Sequence, residues 1–397
     1  MIAATVFLAG VVFAAIGLIG TVYLAISIAT IFMLKRRSVP AASPAPPVSV
    51  LVPLRGAEAG LDERLAALLA QDYGGEAQLV CAVADPDDRA AAVAEALKAR
   101  CPERRVALVV DGRTYGPNRK ISNLINALQA AEHDTLVMLD SDILVDRGYL
   151  ARVVEALQQP NVGAVTHLYH GLSGEGPWAA VSALSINSHF VPSVILALRF
   201  RAADPCFGST IALSRAFLDE LGGLSPFAAV LQDDYAIGMA VRSAGREVAI
   251  LSETVGHVCT ESSAAAAFDT QLRAAQTVRA VTPAGYAGSI VTQPFVPALV
   301  GAILLHNAAG VAVLMVVAAL RAAQTYAVQR VLALPPQRYF LLPLRDLVAF
   351  AAFVAAFFTR DIVWRGEHYR LAAGGGLRRA EARTPAATPV LDEGSPR

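Results

Sequence analysis

Residues 2–34 carry no charged side chain and are mostly apolar. A helix needs roughly 20 such residues to cross the hydrocarbon core of a bilayer, so this run is long enough to span it. The basic residues 35–37 follow at once, and basic residues collect on the cytoplasmic side of membrane helices. A cleaved signal peptide fits less well, because its basic residues precede a shorter apolar part. We predict an uncleaved anchor over residues 1–35 whose second end faces the cytoplasm.

Two further apolar stretches lie late in the chain, at about residues 294–320 and 340–358. They define a predicted membrane region over residues 289–363, followed by a cytoplasmic tail, residues 364–397, that we predict to be largely disordered. If both stretches crossed the membrane, the arginines between them would lie outside, against the positive-inside rule. These arginines are Arg321, Arg330 and Arg338, and Arg345 lies near the start of the second stretch. A re-entrant hairpin or an amphipathic segment on the cytoplasmic face would avoid the conflict.

The composition also indicates a membrane protein. Hydrophobic residues make up 55% of the chain and charged residues 17%, which is more apolar than an ordinary soluble domain. The formal net charge is zero, whereas nucleic-acid binders have a basic surface, so we predict no nucleic-acid partner. The four cysteines are scattered without metal-ligand spacing, which predicts free thiols in a reducing compartment. These features favour a globular domain attached to a bilayer.

The middle of the chain has the pattern of an α/β domain. A Pro-rich segment, residues 36–47, is a predicted linker, and short apolar runs then alternate with amphipathic segments over residues 48–288. This alternation predicts βαβ units and a mostly parallel sheet flanked by helices. The predicted strands cover residues 48–54, 78–84, 106–110 and 136–139, and the predicted helices cover residues 61–71, 88–100 and 119–131. Neither a G-x-G-x-x-G motif after the first strand nor a Walker A motif occurs, which disfavours a dehydrogenase and a P-loop ATPase.

Asp140 and Asp142 follow the last of these strands as Asp-Ser-Asp. Ligands of such sheets bind beyond the carboxyl ends of the strands. Two carboxylates there can share a divalent cation, since Mg²⁺ and Mn²⁺ prefer oxygen ligands and keep positions open for substrate phosphates. Such a cation would neutralise a departing diphosphate. A solvated acidic turn is the alternative interpretation.

Two more polar positions lie near predicted strand ends. Asp85 follows the second strand, where its carboxylate could accept hydrogen bonds from a nucleobase or ribose, while a turn and a helix N-cap are sufficient for Asp87 and Asp88. Lys120 lies in the first turn of a helix, where a cation opposes the helix dipole. That position is more favourable if the lysine meets an anion, so we include Lys120 among the predicted nucleotide-sugar ligands. A solvated helix lysine is the alternative.

Asp233 and Asp234 open a later predicted helix, where acidic residues are common because the dipole favours them. The functional interpretation makes them catalytic residues, one being the general base for an acceptor hydroxyl. Gln276 and Arg279 then form a Gln-x-x-Arg motif before the membrane stretches. The planar guanidinium of Arg279 suits a phosphate, although a lone arginine is more often a surface charge.

The order of these motifs is typical of a nucleotide-sugar transferase on a membrane. Over about residues 1–372 the chain resembles the ceramide glucosyltransferase family, whose members are inverting enzymes with the glycosyltransferase A fold. The motifs that carry the resemblance are Asp85-Pro86, Asn118-Arg119-Lys120 with Asn123-Leu124, Asp140-Ser141-Asp142, Cys206-Phe207-Gly208, Asp233-Asp234-Tyr235 and Gln276-Thr277-Val278-Arg279. The resemblance implies that Asp85 contacts the uridine of a UDP-sugar and that Asp140 with Asp142 holds Mg²⁺ or Mn²⁺. It also implies that Asp234 is the base.

By the same resemblance Gln276 and Arg279 serve the diphosphate or the acceptor. The family motif ends in Trp where this chain has Ala280, a departure that concerns the acceptor more than the chemistry. Residues 282–286 and 364–369 are similar to the bacterial hopanoid-associated branch, whose members put N-acetylglucosamine on a bacteriohopane polyol. From this resemblance we predict a multi-pass enzyme of the bacterial inner membrane with a cytoplasmic catalytic domain. Its predicted reaction moves N-acetylglucosamine or glucose from a UDP-sugar to a lipid hydroxyl, with a bacteriohopane polyol as the first choice of acceptor.

Three other functions share parts of this pattern. They are a ceramide glucosyltransferase, a processive polysaccharide synthase or polyprenyl-phosphate sugar transferase, and a non-catalytic membrane scaffold. One more segment concerns the acceptor: residues 178–200 are mostly apolar but contain Asn187, Ser188 and His189. This segment is either interfacial, guiding a lipid acceptor, or a buried core helix in which His189 is hydrogen-bonded and not catalytic.

Overall fold

We describe the protein from a computed structural model. The described residues are 1–34, 45–359, 361–364, 367–371 and 376–379. The basic residues 35–37, most of the predicted linker and the chain beyond residue 379 lie outside this set. All four cysteines are free thiols, as predicted.

An eight-stranded sheet forms the centre of the middle domain. Its strands are β1 (Val48–Pro53), β2 (Ala77–Val83), β3 (Arg105–Val110), β4 (Thr135–Met138), β5 (Ile143–Leu144), β6 (Val162–Ser173), β7 (Ile211–Ser214) and β8 (Glu247–Cys259). The strand order is β3-β2-β1-β4-β7-β6-β8-β5. Strands β3, β2, β1 and β4 are parallel neighbours, as are β6 and β8, whereas β7 and β5 run antiparallel to their partners. The predicted mostly parallel sheet is confirmed.

Fourteen α-helices surround or extend this sheet within the described part of the chain. The first ten are α1 (Ile2–Phe32), α2 (Leu61–Leu69), α3 (Arg89–Arg100), α4 (Arg119–Leu128), α5 (Tyr149–Leu157), α6 (Pro177–Ser185), α7 (Val191–Arg199), α8 (Arg215–Glu220), α9 (Asp233–Ser243) and α10 (Ala264–Val281). The last four are α11 (Pro283–Gly288), α12 (Phe295–Leu305), α13 (Ala308–Val331) and α14 (Leu342–Ala355). A π-helical segment, Ile186–Phe190, joins α6 to α7.

The sheet is covered on both faces because successive side chains of each strand point to opposite sides. In β1, Val48, Val50 and Val52 pack with α2, α3 and α5, while Leu51 packs with α4, α8 and α9 on the other face. Burial on both faces is the normal state of parallel strands.

The start of α3 is set by a residue next to it in the sequence. The Asp88 carboxylate caps this helix by accepting the Ala90 N–H at 2.8 Å, which confirms its predicted capping role.

Three helical runs are long and apolar enough to cross a membrane, among the described residues: Ile2–Phe32, Pro177–Arg199 and Ala308–Val331. A fourth candidate is the pair Pro283–Thr292 and Phe295–Leu305, which bends by 62°. The predicted apolar stretch at 294–320 is therefore not one helix, because the chain breaks at His306 and Asn307 between α12 and α13. The stretch at 340–358 forms the 14-residue helix α14, which is shorter than the roughly 20 residues of a full span.

The apolar helices at the two ends of the chain pack against each other. Gly301 of α12 lies against α1 so closely that a Cβ on it would be 2.7 Å from the Ala14 backbone nitrogen. Small residues that allow such close backbone approach are typical of helix contacts in membranes. The N-terminal apolar helix α1 and the later apolar helix α12 therefore form one packed unit.

Two of the arginines that conflicted with the positive-inside rule are buried and paired. Arg321 and Arg345 are each 2% exposed. Both donate to the Asp346 carboxylate, with nitrogen–oxygen distances of 2.6 Å. Arg321 also donates to the Ser188 carbonyl at 2.6 Å and to Gln324 at 2.9 Å. These charges connect α13 and α14 to the π-helical segment and are not surface charges of either side.

A small antiparallel sheet ends the described chain, with strands β9 (Asp361–Trp364), β10 (Glu367–Leu371) and β11 (Leu377–Arg379). Gly376 forms a bridge with Val230, and the Tyr369 hydroxyl donates to the Pro117 carbonyl at 3.2 Å. The C-terminal sheet therefore lies against two loops, those that lead into α4 and into α9.

Candidate active site

Lys120 joins two of the predicted site carboxylates. Its Nζ lies 2.8 Å from Asp140 Oδ1 and 3.2 Å from Asp233 Oδ2. Burial alone would lower the pKa of Lys120, but the attraction of the surrounding carboxylates outweighs it and raises the pKa. The lysine is charged, and in this structure the anions that it meets are aspartates. Its predicted contact with a nucleotide sugar stays a prediction.

Asp233 and Asp234 are adjacent but differ in how much of each carboxylate is available. Asp233 is 5% exposed and accepts the Asn118 side-chain N–H at 3.1 Å, besides its ion pair with Lys120. Asp234 is half-buried. Its Oδ2 accepts the Gly208 N–H at 3.0 Å and its Oδ1 the Tyr235 N–H at 2.8 Å. Two backbone donors orient this carboxylate, and each oxygen keeps a lone pair for a substrate.

The environment of Asp234 favours proton transfer. Burial raises the pKa of Asp234 to about 6, and the negative charge of Asp233 adds to the rise, while Lys120 and the two backbone donors oppose it. A base whose pKa lies just below the working pH is ionised yet still basic enough to accept a proton in a transition state. Of the two aspartates, Asp234 therefore has the properties of a general base, and Asp233 supports Lys120.

Asp142 lies beside His257, a residue that the sequence did not single out. The distance from Asp142 Oδ1 to His257 Nδ1 is 3.5 Å. The antiparallel register of β5 and β8 pairs Ile143 with His257 and so brings them together. Burial alone would lower the pKa of His257, but Asp142 outweighs it and raises the pKa. No local sequence signal marks this histidine, because the contact depends on strand register.

We call Asp140, Asp142, Asp233, Asp234 and Lys120 the acidic site. Gly208 packs closely against two of these residues. A Cβ at this position would lie 2.8 Å from both Asp140 Oδ2 and Lys120 Nζ. Its N–H also holds Asp234. A residue without a side chain is needed where a backbone approaches other groups so closely. The motif Cys206-Phe207-Gly208 was the sequence signal for this position, without revealing its purpose.

Gly208→Ala is expected to lower kcat/KM about 10- to 100-fold, because the new methyl group must displace the Lys120–Asp140 ion pair and misplacements near 1 Å have effects of this size. Both displaced groups are the ends of side chains, so the protein should still fold. Steady-state kinetics and thermal unfolding would measure the two quantities. Gly288→Ala is the matched control, since a Cβ there meets nothing within 4 Å. Equal kinetics for both variants would contradict the packing role.

Asp140 and Asp142 suit a divalent cation completed by a substrate. Among the described residues, no group of three His, Cys, Asp or Glu side chains could hold a metal ion by itself. Mg²⁺ is usually held by one or two carboxylates together with substrate phosphates. Burial raises the pKa of Asp140 and the nearby charge of Asp142 adds to the rise, against the attraction of Lys120, so added positive charge would be favourable. Because Gly208 has no Cβ, its backbone can lie beside Asp140 and Lys120 without a clash.

Asp85 lies at the same edge of the sheet as Asp140, because β2 and β4 are both parallel neighbours of β1. Its side chain is exposed, and Oδ1 accepts the Asp87 N–H at 3.0 Å. The carboxylate therefore forms a turn and stays accessible to a ligand. Its predicted contact with uridine stays a prediction.

Gln276 and Arg279 bind the C-terminal segment in this structure. Gln276 is buried and donates to the Asp361 carbonyl at 3.1 Å. Arg279 donates to the Ala356 carbonyl at 2.7 Å and lies over the Phe357 ring, 5.4 Å from its centroid. These contacts hold the chain that leads to the C-terminal sheet. The predicted role toward diphosphate or acceptor is not tested by them and stays a prediction.

The sheet topology is that of the glycosyltransferase A fold, extended by candidate membrane helices. The fold is similar to that of the mannosyltransferase PcManGT from Pyrobaculum calidifontis, solved in complex with GDP-Man and Mn²⁺. The TM-score is 0.50 with 21% sequence identity, over 89% of this chain and 99% of that one. This likeness confirms the predicted fold class.

Glycosyl transferase family 21 matches residues 12–377. The chain belongs to this family. It is 25% identical over 206 residues to Ceramide glucosyltransferase 1 of Caenorhabditis elegans, covering 52% of this chain and 44% of that protein. It is 31% identical over 130 residues to the Ceramide glucosyltransferase of Komagataella phaffii, covering 32% of this chain and 25% of that protein. The chain spans less than half the length of these relatives. The predicted membership of the ceramide glucosyltransferase family is confirmed.

Proposed function

We propose that the protein transfers N-acetylglucosamine or glucose from a UDP-sugar to a hydroxyl of a membrane lipid, with inversion at the sugar C1. The carrying observation is the half-buried Asp234, which two backbone donors orient within the cluster that contains Asp140 and Lys120. A single displacement needs a base on the acceptor side and positive charge on the leaving-group side. The cluster contains candidates for both.

On the acceptor side, Asp234 takes the proton as the lipid hydroxyl attacks C1 and the bond from C1 to the diphosphate oxygen breaks. The alcohol is a poor nucleophile at neutral pH, so a positioned carboxylate contributes to the rate. Gly208 and Tyr235 keep the carboxylate in one orientation throughout. Asp233 keeps its hydrogen bond from Asn118 and supports this geometry.

On the donor side, Asp85 accepts hydrogen bonds from the uridine, and Lys120 turns from the aspartates toward the diphosphate. Asp140 and Asp142 are the residues that would hold Mg²⁺ or Mn²⁺. A divalent cation supplies charge neutralisation for the departing diphosphate. Gln276 and Arg279 contribute to the same side if the segment that they bind moves when donor enters.

Two acceptors are supported by different observations. A bacteriohopane polyol is our first choice, because residues 282–286 and 364–369 are similar to the hopanoid-associated branch. Ceramide is supported by the names of the relatives. Both are amphiphilic alcohols, which suits a catalytic domain attached to apolar helices at both ends. We place the protein in the bacterial inner membrane with this domain in the cytoplasm, on the strength of the basic residues 35–37.

Mass spectrometry of lipids tests this function directly. Purified protein with UDP-N-acetylglucosamine or UDP-glucose and either hopanoid polyol or ceramide should yield one glycosylated lipid and UDP. Transfer should stop when EDTA removes divalent cations and return when Mn²⁺ or Mg²⁺ is added, because the cation neutralises the leaving diphosphate. Undiminished transfer in EDTA would remove the roles of Asp140 and Asp142. Failure with every sugar and lipid, while UDP still binds, would contradict the proposed function itself.

A further inference from the structure

The π-helical segment Ile186–Phe190 connects several parts of the protein. The Asn187 amide exchanges two hydrogen bonds, of 2.8 and 2.9 Å, with the backbone of Gly171 in β6. The Ser188 carbonyl accepts from Arg321 of α13. His189 Nε2 lies 2.9 Å from the Thr292 hydroxyl. Such π-turns occur frequently at functional sites, and this one is fixed on three sides by polar contacts.

Because its neighbours are held in this way, Phe190 has a defined position. Its ring stacks on Tyr169 with centroids 4.6 Å apart and an interplanar angle of 23°. Phe207 meets both rings edge-on, with centroid distances of 6.0 Å to Tyr169 and 5.7 Å to Phe190. Tyr169 and Phe190 are half-buried and Phe207 is 7% exposed. We call these three residues the aromatic wall.

One side of the aromatic wall adjoins the acidic site. Phe207 directly precedes Gly208, whose N–H holds Asp234. The Tyr169 ring lies 5.5 Å from His257, the histidine beside Asp142. An alcohol whose oxygen reaches Asp234 would therefore have its adjoining carbons near these rings.

The other side of the wall adjoins the candidate membrane helices. Phe207, Tyr169 and Phe190 belong to one apolar cluster with residues of α1, α7 and α13. Its members from those helices include Ile28, Ile31, Ile195, Val328 and Val331. The cluster is thus continuous from helices able to lie in a bilayer to the edge of the acidic site. Most of this cluster is buried core, with Ile31 and Val328 at 0% exposure, whereas Tyr169 and Phe190 are half-buried. The accessible parts of these two rings are where burial of a hydrocarbon chain would be favourable.

We infer that Tyr169, Phe190 and Phe207 form a subsite for the hydroxyl-bearing end of a long-chain lipid alcohol. The inference rests on the proposed function. It adds Tyr169 and Phe207 to the segment 178–200, for which the sequence left an acceptor role open, and within that segment it singles out Phe190. The rings bind the first carbons of the chain, and Asp234 receives the hydroxyl. Phe190 sets specificity, because the π-turn orients it toward Tyr169.

Photolabelling tests the subsite without turnover. The full-length protein in detergent, with UDP and Mn²⁺, is irradiated with a hexadecanol that carries a diazirine beside the hydroxyl, and labelled peptides are mapped by mass spectrometry. Labelling should concentrate on the aromatic wall and fall at least tenfold with excess unlabelled hexadecanol. Labelling spread over the exposed face of α1, without competition, would overturn the inference even if lipid transfer is observed. Absence of transfer with specific labelling would instead count against the proposed function.

Phe190→Leu gives an independent kinetic test. It removes the aromatic stack while keeping an apolar side chain, so KM for the lipid acceptor should rise about 10-fold, as expected for lost contacts in an apolar pocket. The Kd of UDP should not change. Phe340→Leu is the control, because Phe340 is 78% exposed and lies outside residues 178–200, in the short helical turn Tyr339–Leu341. The same acceptor KM in both variants would overturn the role of Phe190. If Phe190→Leu does not fold, photolabelling of the unmodified protein still tests whether the aromatic wall binds the alcohol.

Discussion

Asp234→Asn is expected to lower kcat about 10²- to 10⁴-fold while UDP still binds, because an amide cannot accept the proton of the attacking hydroxyl. The amide oxygen can still accept one of the two backbone N–H groups that hold Asp234, so the fold should persist. Steady-state turnover and UDP binding by calorimetry would separate the two effects. A variant with near-normal kcat would show that Asp234 is not the base.

Asp134→Asn is the matched control, since the Asp134 side chain is 97% exposed. It should leave kcat unchanged.

The pH dependence of the rate is a second test of Asp234 as the base. Burial, with help from Asp233, raises the pKa of Asp234 to about 6. The active form is the carboxylate, so kcat/KM of the unmodified protein should fall as the pH drops below about 6, and this limb should be absent from the residual activity of Asp234→Asn.

Asp346→Asn is expected to destabilise the protein by about 3–5 kcal/mol, because it leaves two buried arginines without their shared carboxylate. Arg321 and Arg345 both donate to Asp346, and all three side chains are buried. The melting temperature in detergent and the fraction of monodisperse protein would report the loss. Donor binding is a poor readout here, since the cluster has no described contact with the acidic site.

Asp361→Asn provides the comparison, because its ion pair with Arg370 is exposed and exposed pairs contribute little. The melting temperature of that variant should scarcely change. Replacing Arg321, Arg345 and Asp346 together with apolar residues of similar size should be milder than Asp346→Asn alone, since no uncompensated charge remains. A triple variant that is as unstable as the single one would contradict this explanation.

The parallel part of the sheet was predictable because its signals are local. Each signal is contained in a few consecutive residues: β1 is six apolar or small residues in a row, and Asp88 directly precedes the helix α3 that it caps. The positions of Asp85 and Asp140 at one edge followed from parallel pairing alone. The membrane region was harder to predict, since a short break at His306 and Asn307 divides an apolar stretch that looks continuous by composition.

The partners of the site residues were not predictable. Lys120 was expected to meet an anion, but that the anions are Asp140 and Asp233 depends on how α4 and α9 pack around the sheet. His257 reaches Asp142 only through strand register. Gln276 and Arg279 are held by a segment some eighty residues further along the chain, at separations of 85 and 77 residues.

Local periodicity and residue chemistry were sufficient for the fold class, the apolar N-terminal helix and the aspartates at the strand ends, because each of these depends on neighbours in the chain. Only the tertiary structure showed that Asp234 is the more accessible of the two adjacent aspartates. It also showed that close packing requires glycine at position 208 and that Asp346 is the counter-charge of the buried arginines. The physical reason is that hydrogen bonds, ion pairs and close contacts are set by distances in space. Those distances arise only when strands far apart in the chain take up one register and the helices settle on the sheet.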